Sequence, residues 1–121
     1  MRYILDTDWM INLLAGKGGA AENIQHLDPQ AIGISLVTVA EIYESAFQYV
    51  NPDAHIRAFR SFLDHFHLLS LNLPIVEKFA EVRAHLRRRG QLISDFDILL
   101  GATALHYDLI VLTYNKNTGG S

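Results

Sequence analysis

Acidic residues from three separate segments of this chain, Asp6 and Asp8, Glu41, and Asp95 and Asp97, fall where they could do chemistry together. Asp6 closes the apolar run Tyr3-Ile4-Leu5, with Thr7 and Asp8 directly behind it. Glu41 lies in the first turn of a helix whose pattern starts after Thr38, and follows the strand-like run Ile32-Gly33-Ile34-Ser35. Asp95 and Asp97 lie in the first turn of a helix opened by Ser94, and Thr113 and Asn115 follow the last apolar run, Ile110-Val111-Leu112. Carboxylates from separate segments repel one another if gathered, unless a cation sits among them. Hard ions such as Mg²⁺ and Mn²⁺ choose oxygen ligands. An ion held this way lowers the pKa of a bound water and neutralises charge developing on a phosphate, so no side-chain nucleophile is needed. The chain has no cysteine. That excludes disulfides, thiolate metal sites and a cysteine nucleophile. No Ser-His-Asp arrangement is recognisable.

Each acid also has a reading without chemistry. Thr38-Val39-Ala40-Glu41 fits a capping box, in which Glu41 bonds back to the Thr38 backbone, and Ser94-Asp95-Phe96-Asp97 fits a weaker version. Asp8 can cap the helix that follows it. On a helical wheel Glu41 shares a polar face with Ser45 and Gln48, as a solvated residue would. Asp95 and Asp97, two residues apart on a helix, point about 200° from each other. Only one of them can face a given point, and we assign Asp97 as the ligand and Asp95 as a supporting or capping residue. Asp97 precedes the small-residue run of Gly101 and Ala104 and is expected to lie where the helix approaches the sheet.

The elements that would position these acids follow from periodicity. Strands are expected at Tyr3–Leu5, Ile32–Ser35, His67–Leu71 and Ile110–Leu112. The first helix carries Trp9, Met10 and Leu13 and ends at Gly16, Gly18 and Gly19. A second short helix is expected over Ala20–His26. Val39, Ile42, Tyr43, Ala46, Phe47 and Val50 form one helical arc. Asn51-Pro52-Asp53 breaks that helix and opens the next, with Ile56, Phe59, Leu63 and Phe66 at helical spacing. Ile75, Phe79, Val82 and Leu86 mark another helix, stopped by Gly90. Strands alternating with helices or helix pairs predict an α/β fold: a short, mostly parallel sheet covered by helices on both faces. In such a sheet, ligands sit beyond the carboxyl ends of the strands, which is where the acids fall.

The composition fits one globular domain. The chain has 121 residues, half of them hydrophobic and 19% charged. No apolar stretch reaches the roughly 18 residues of a membrane span, and the first strand-like run begins too early to leave room for a signal peptide. A cysteine-free chain fits a reducing cytoplasm. The formal net charge of −3 argues against a protein that holds nucleic acid by charge alone. Residues 1–116 read as the domain, and 117–121 as a linker-like tail left by truncation or by added vector residues.

Four blocks of sequence resemble the PIN-domain family. Ile4-Leu5-Asp6-Thr7-Asp8 is similar to its opening, and Ser35 through Ala40 into Glu41-Ile42 to its second acidic block. Asp97-Ile98-Leu99-Leu100-Gly101-Ala102-Thr103-Ala104-Leu105 resembles its third block, the most specific of the four. Ile110-Val111-Leu112-Thr113-Tyr114-Asn115 looks like its closing strand. The likeness spans residues 3–115. It implies a three-layer PIN-like sandwich and a Mg²⁺- or Mn²⁺-dependent endoribonuclease. The compact form resembles VapC-type toxins, which implies an RNA substrate, a cognate VapB-like antitoxin, a homodimer and a cytoplasmic location. Carried over by position, Asp6, Glu41 and Asp97 are the catalytic and metal-binding acids, with Asp8, Thr7, Asp95, Thr113 and Asn115 as accessory residues. Asn115 stands where the family often has a fourth acid. Its carbonyl adds no negative charge, which puts a second metal ion in question.

Other readings fit less well. Asp6-Thr7-Asp8 also resembles the opening of haloacid-dehalogenase phosphatases, but Lys116 is badly placed for that family's lysine and its Gly-Asp motif is missing. A receiver domain needs an aspartate after the third strand, where Asn72 follows instead. A PIN fold that has lost catalysis and binds RNA or protein remains the non-enzymatic alternative. Arg87-Arg88-Arg89 either finishes a helix favourably or, with Arg83, contacts RNA phosphates. The six histidines read as surface or packing residues. Trp9, Tyr43, Phe47 and Tyr49 read as core, with Trp9 and its helix also a candidate dimer or antitoxin surface.

Overall fold

The structure, a computed structural model, describes residues 1–14, 27–91 and 93–113. Among these, β1 (Tyr3–Leu5), β2 (Ile32–Ser35), β3 (His67–Leu69) and β4 (Ile110–Leu112) form one sheet in the order β3-β2-β1-β4. Every neighbouring pair is parallel, with Tyr3 opposite Ile32 and Ile110, and Leu5 opposite Leu112. The helices are α1 (Thr7–Leu14), α2 (Leu36–Ala46), α3 (Pro52–Leu63), α4 (Leu73–Arg88) and α5 (Asp95–Tyr107). A 3₁₀ turn, Pro29–Ala31, leads into β2. The expected helix over Ala20–His26, the glycine stop before it, Asn115 and the tail lie outside the described residues.

Successive strand residues point to opposite faces, and both faces are packed. Leu5, Ile32 and Ile34 meet Trp9, Met10, Val39, Ile42, Phe59 and Leu63, so α1, α2 and α3 cover one face. Ile4 and Leu69 meet Leu100 and Ala104 of α5 on the other. α4 packs against α5. The result is the expected three-layer α/β arrangement. β2 and β3 extend the sheet on one side of β1 and β4 on the other. The carboxyl end of β1 is therefore the point where strand order doubles back, the usual place for a ligand crevice in such sheets.

Helix boundaries differ from the sequence pattern in instructive ways. α2 starts at Leu36, because Ser35 caps it: the Ser35 hydroxyl accepts from Val37 N at 3.0 Å. Thr38 is thus inside the helix and fully buried, and the expected Thr38–Glu41 capping box does not form. α2 also ends at Ala46, so Phe47, Tyr49 and Val50, expected in the core, stand 62%, 55% and 105% exposed in the following turn. β3 stops at Leu69, two residues early, because Asn72 leaves the sheet to cap α4 through Ile75 N at 3.0 Å. Gly90 does stop α4. Its φ of 69° supports a paired closure, Gly90 N to Arg87 O at 3.1 Å and Gln91 N to Leu86 O at 2.9 Å, the motif glycine favours.

The two glycines of the packed elements behave oppositely. A Cβ on Gly33 would stand 2.8 Å from Leu69 Cδ1 and Met1 Sδ, whereas one on Gly101 would meet nothing within 4 Å. Of the small residues of α5, Ala104 packs against the strands, whereas Gly101 borders open space. Gly33→Val should destabilise the fold by about 1–3 kcal/mol through overpacking. Gly101→Ala should stabilise it by about 0.5–1 kcal/mol, since alanine is the better helix former and space is open. Paired urea melts check both signs.

Candidate metal centre

Asp6 is the first residue past β1, and its backbone N–H still donates to Leu112 O of β4 at 3.1 Å. Its carboxylate then turns to the start of α1 and accepts from Trp9 N at 2.7 Å. Asp6, not Asp8, is thus the cap of α1, satisfying one of the donors a helix start leaves open. Asp8 is exposed in the first turn, and its carbonyl accepts from Asn12 Nδ2 at 2.7 Å. Thr113 follows β4 and is exposed, one step beyond the Leu5–Leu112 pair and so beside Asp6 at the same edge.

Glu41 reaches this edge from α2. It is half-buried, and its carboxylate accepts from Thr7 Oγ1 at 2.5 Å. Thr7 Oγ1 is also 3.3 Å from Thr38 Oγ1, which is fully buried beneath it. The polar-face reading of Glu41 therefore gives way to a directed contact between α1 and α2. The second acid stands against the residue next to the first.

Asp97 lies in the first turn of α5 and is exposed. α5 packs against α2 and passes through Asp108 and Leu109 directly into β4. The helix must descend to the amino edge to begin that strand, so its N-terminus faces the carboxyl edge. Asp95, on the opposite side of the same turn, binds Arg83 of α4 with Nε to Oδ1 at 2.8 Å. Ser94 makes no side-chain cap. Arg83 is thus engaged within the protein, while Arg87, Arg88 and Arg89 are exposed at the end of α4.

The side chains as they stand join Glu41 to Thr7, the neighbour of Asp6, and do not bring the three acids together. Among the described residues, no three histidine, cysteine, aspartate or glutamate side chains stand close enough to hold a metal ion. The donor set itself is oxygen throughout, which suits a hard divalent cation such as Mg²⁺ or Mn²⁺. Thr7 is the residue whose contact sequence reasoning cannot supply. Its type and its place behind Asp6 mark it only as accessory.

A groove between α1, α2 and α3, lined by Ile11, Leu14, Ile42, Tyr43, Tyr49 and Phe59 among others, encloses about 310 Å³. Its walls are mainly apolar. Trp9, read from the sequence as core and secondarily as a candidate surface residue, is 8% exposed and belongs to the core, while Ile11 and Leu14 of the same helix are 42% and 41% exposed. Among the described residues no helix is long and apolar enough to cross a membrane.

Known proteins are similar to this chain in sequence and in fold. The family model of the PIN domain matches residues 3–118. Ribonuclease VapC2 of Haemophilus influenzae is 28% identical over 117 residues, covering 95% of this chain and 87% of its own. The tRNA(fMet)-specific endonuclease VapC of Shigella flexneri is 24% identical, over 95% of this chain and 87% of its own. Among solved structures, VapBC-1 from nontypeable Haemophilus influenzae superposes with a TM-score of 0.80 at 27% identity, over 97% of this chain and 89% of that one. DNA-bound VapBC from Salmonella typhimurium gives a TM-score of 0.84 at 20% identity, over 100% of this chain and 92% of that one.

The capping role of Asp6 has a measurable consequence. Asp6→Ala should lower stability by about 1 kcal/mol, whereas Asp6→Asn keeps the cap and should leave it nearly unchanged. Denaturant melts of the two variants check this, and equal losses would show that the Trp9 contact does not stabilise α1.

Proposed function

We propose that this chain, which belongs to the PIN-domain family, is a metal-dependent endoribonuclease and the toxin of a toxin–antitoxin pair. The observation that carries the reading is the hydrogen bond to Glu41 from Thr7, the residue directly after Asp6, at the point where strand order doubles back. The names of the relatives, ribonuclease and tRNA-specific endonuclease, point the same way.

Asp6, Glu41 and Asp97 would hold Mg²⁺ or Mn²⁺. When bound, such an ion sets positive charge against the scissile phosphate and acidifies a water molecule. The chain's own contribution is placement. β1 delivers Asp6 from a rigid, doubly buried strand, α2 brings Glu41 across to it, and α5 carries Asp97 on an exposed turn from which it can close on an ion. The Arg83–Asp95 pair turns Asp95 away and ties the start of α5 to α4. Asp8, Thr113 and Asn115 remain accessory candidates around the same edge. Arg87, Arg88 and Arg89 offer exposed positive charge for the RNA backbone, which suits a chain that is acidic as a whole. The apolar groove of α1, α2 and α3 suits a cognate VapB-like antitoxin, since the solved neighbours are toxin–antitoxin complexes. A homodimer and a cytoplasmic location complete the proposal.

Cleavage of a labelled RNA with Mn²⁺, and its loss on chelation, tests the activity. Asp97→Asn should abolish metal-dependent cleavage, and Asp95→Asn should reduce it less, because the two side chains point to opposite sides of α5. Equal loss in both would mean that Asp95 leaves Arg83 to join the ion. Folded protein that neither binds Mn²⁺ nor cleaves RNA would favour the non-catalytic binding module.

The arginines give a second test. With Ca²⁺ suppressing cleavage, alanine at Arg87 and Arg88 should weaken RNA binding. It should also flatten the salt dependence of log K by about 0.7 for each single-strand phosphate that is no longer neutralised. Unchanged binding curves across salt concentrations would leave these residues as helix-terminating, solvated side chains only.

A further inference from the structure

We propose that the cleft between the end of α4 and the start of α5 is a base-binding subsite, which takes one unpaired guanine of the RNA close to the bond that is cut. The inference rests on the reading above that the chain cleaves RNA at Asp6, Glu41 and Asp97; it adds which nucleotide the chain selects.

The cleft encloses about 130 Å³ and is lined by Arg83 and Arg87 of α4, by Gln91 and Ile93, and by Asp95 and Ile98 of α5, among others. It has room for a single ring system and none for a helix, which is about 10–12 Å across with its side chains. Part of the wall is aliphatic: Ile93 is 51% exposed, and Ile98 is buried behind it. Apolar surface of this kind favours the face of a base and gives a phosphate nothing to bond. Arg83 and Arg87 stand one helical turn apart, so their side chains are neighbours. Proteins that read single-stranded RNA stack its bases on aromatic rings or guanidinium planes and bond their edges.

The polar rim narrows the choice of base. Arg83 Nε donates to Asp95 Oδ1 at 2.8 Å. Among the described residues neither side chain makes another hydrogen bond. Asp95 Oδ2 is left as an acceptor and the two Nη groups of Arg83 as donors, both steadied by the pair. Arg87 adds further donors, and the Gln91 amide offers one acceptor and two donors. Guanine presents N7 and O6 side by side as acceptors, the pattern an arginine fits with two bonds. Its N1 and N2 donate, which suits a carboxylate. Adenine has a donor where guanine has O6. A carboxylate in the wall would also repel a phosphate, so the cleft favours a base over the backbone.

Placement joins the cleft to the acidic edge. Asp95 and Asp97 lie on opposite sides of the first turn of α5, so the two positions are about one helix width apart. Phe96 lies between them in sequence and is 41% exposed. A single strand crossing this turn would set a phosphate at Asp97 and a neighbouring base in the cleft.

The competing view is that the cleft is only the space left where two helix ends meet, and that all RNA affinity comes from phosphates. Fluorescence anisotropy of the whole chain separates the two, with Ca²⁺ in place of Mn²⁺ so that RNA is bound and not cut. The probes are a labelled oligouridylate with one central guanosine and the same strand with adenosine, uridine or an abasic nucleotide at that position. The abasic strand should bind about 10-fold or more weakly, the loss expected for one stacked base. The adenosine strand should bind about 5-fold or more weakly, the discrimination of one well-read edge. The Gln91→Ala/Ile93→Ala pair should bring the guanosine strand to the affinity of the abasic one and leave the salt dependence as it was. Both residues are exposed, and Gln91 closes α4 through its backbone N–H, which alanine keeps; circular dichroism melts check the fold. The base series on the unaltered chain needs no variant. Equal binding of all strands overturns the subsite and leaves the nuclease reading standing. A preference for another base, or one that the folded double variant retains, overturns the subsite in the same way. No binding of any strand overturns the subsite, and if Mn²⁺ also brings no cleavage of these or any other RNA, the nuclease reading falls with it.

Discussion

Ile4 and Leu5 point to opposite faces of β1, and both are fully buried. That double burial is the constraint on which the rest of the molecule depends. Strands of three or four residues pair weakly by themselves, and parallel pairing without covering layers is rarely seen. Here α1, α2 and α3 close one face and α5 the other, so β1 is held from both sides and by strands on both edges. Whatever follows Leu5 is then fixed in space. The chain places Asp6 there, ties it backward to β4 through its N–H and forward to α1 through its carboxylate.

A rigid acid at this edge sets an electrostatic problem that the other two acids meet in different ways. Glu41 is half-buried and is answered by a hydroxyl. Asp97 is exposed and faces solvent. Asp95, which would add a further negative charge in the same turn of α5, is drawn aside by Arg83. Surface ion pairs of this kind contribute little stability, of the order of 0–1 kcal/mol. The pair matters more for where it sends a charge than for how tightly it binds α4 to α5. The small net charge of −3 therefore conceals an uneven distribution, with acids at the strand ends and arginines at the end of α4.

The strands and the order of elements are legible in the sequence, because buried parallel strands read as short apolar runs. Helix ends are less so. Ser35 and Thr38 are both good capping residues three positions apart, and periodicity cannot choose between them; the turn of chain leaving β2 does. Asp6 and Asp8 pose the same ambiguity, settled by where β1 releases the backbone. Phe47, Tyr49 and Val50 look like core by type and spacing, yet α2 ends at Ala46 and carries them into solvent. Gly101 looks like a close-packing residue by its type, and only the surrounding space shows otherwise. The separation of Asp95 from Asp97 is legible, since helix geometry alone turns them apart, but the partner that receives Asp95 is not. No sequence rule links Thr7 to Glu41, because the bond between them depends on how α1 and α2 cross.

That crossing also explains why a hydroxyl serves at Glu41 where a basic side chain would not. A lysine or arginine beside the carboxylate would satisfy it more strongly, and would then compete with any cation for the same oxygens. A glutamate without the hydroxyl would keep its charge but could swing into solvent. A threonine hydroxyl takes one of the roughly four lone-pair positions of a carboxylate, fixes its direction, and leaves the charge uncancelled. The same logic holds at Asp6, where the backbone N–H of Trp9 donates to one carboxylate oxygen. Neutral donors thus orient both acids of the β1 edge without cancelling their charge, which is the arrangement a site needs if a divalent cation is to supply the positive charge.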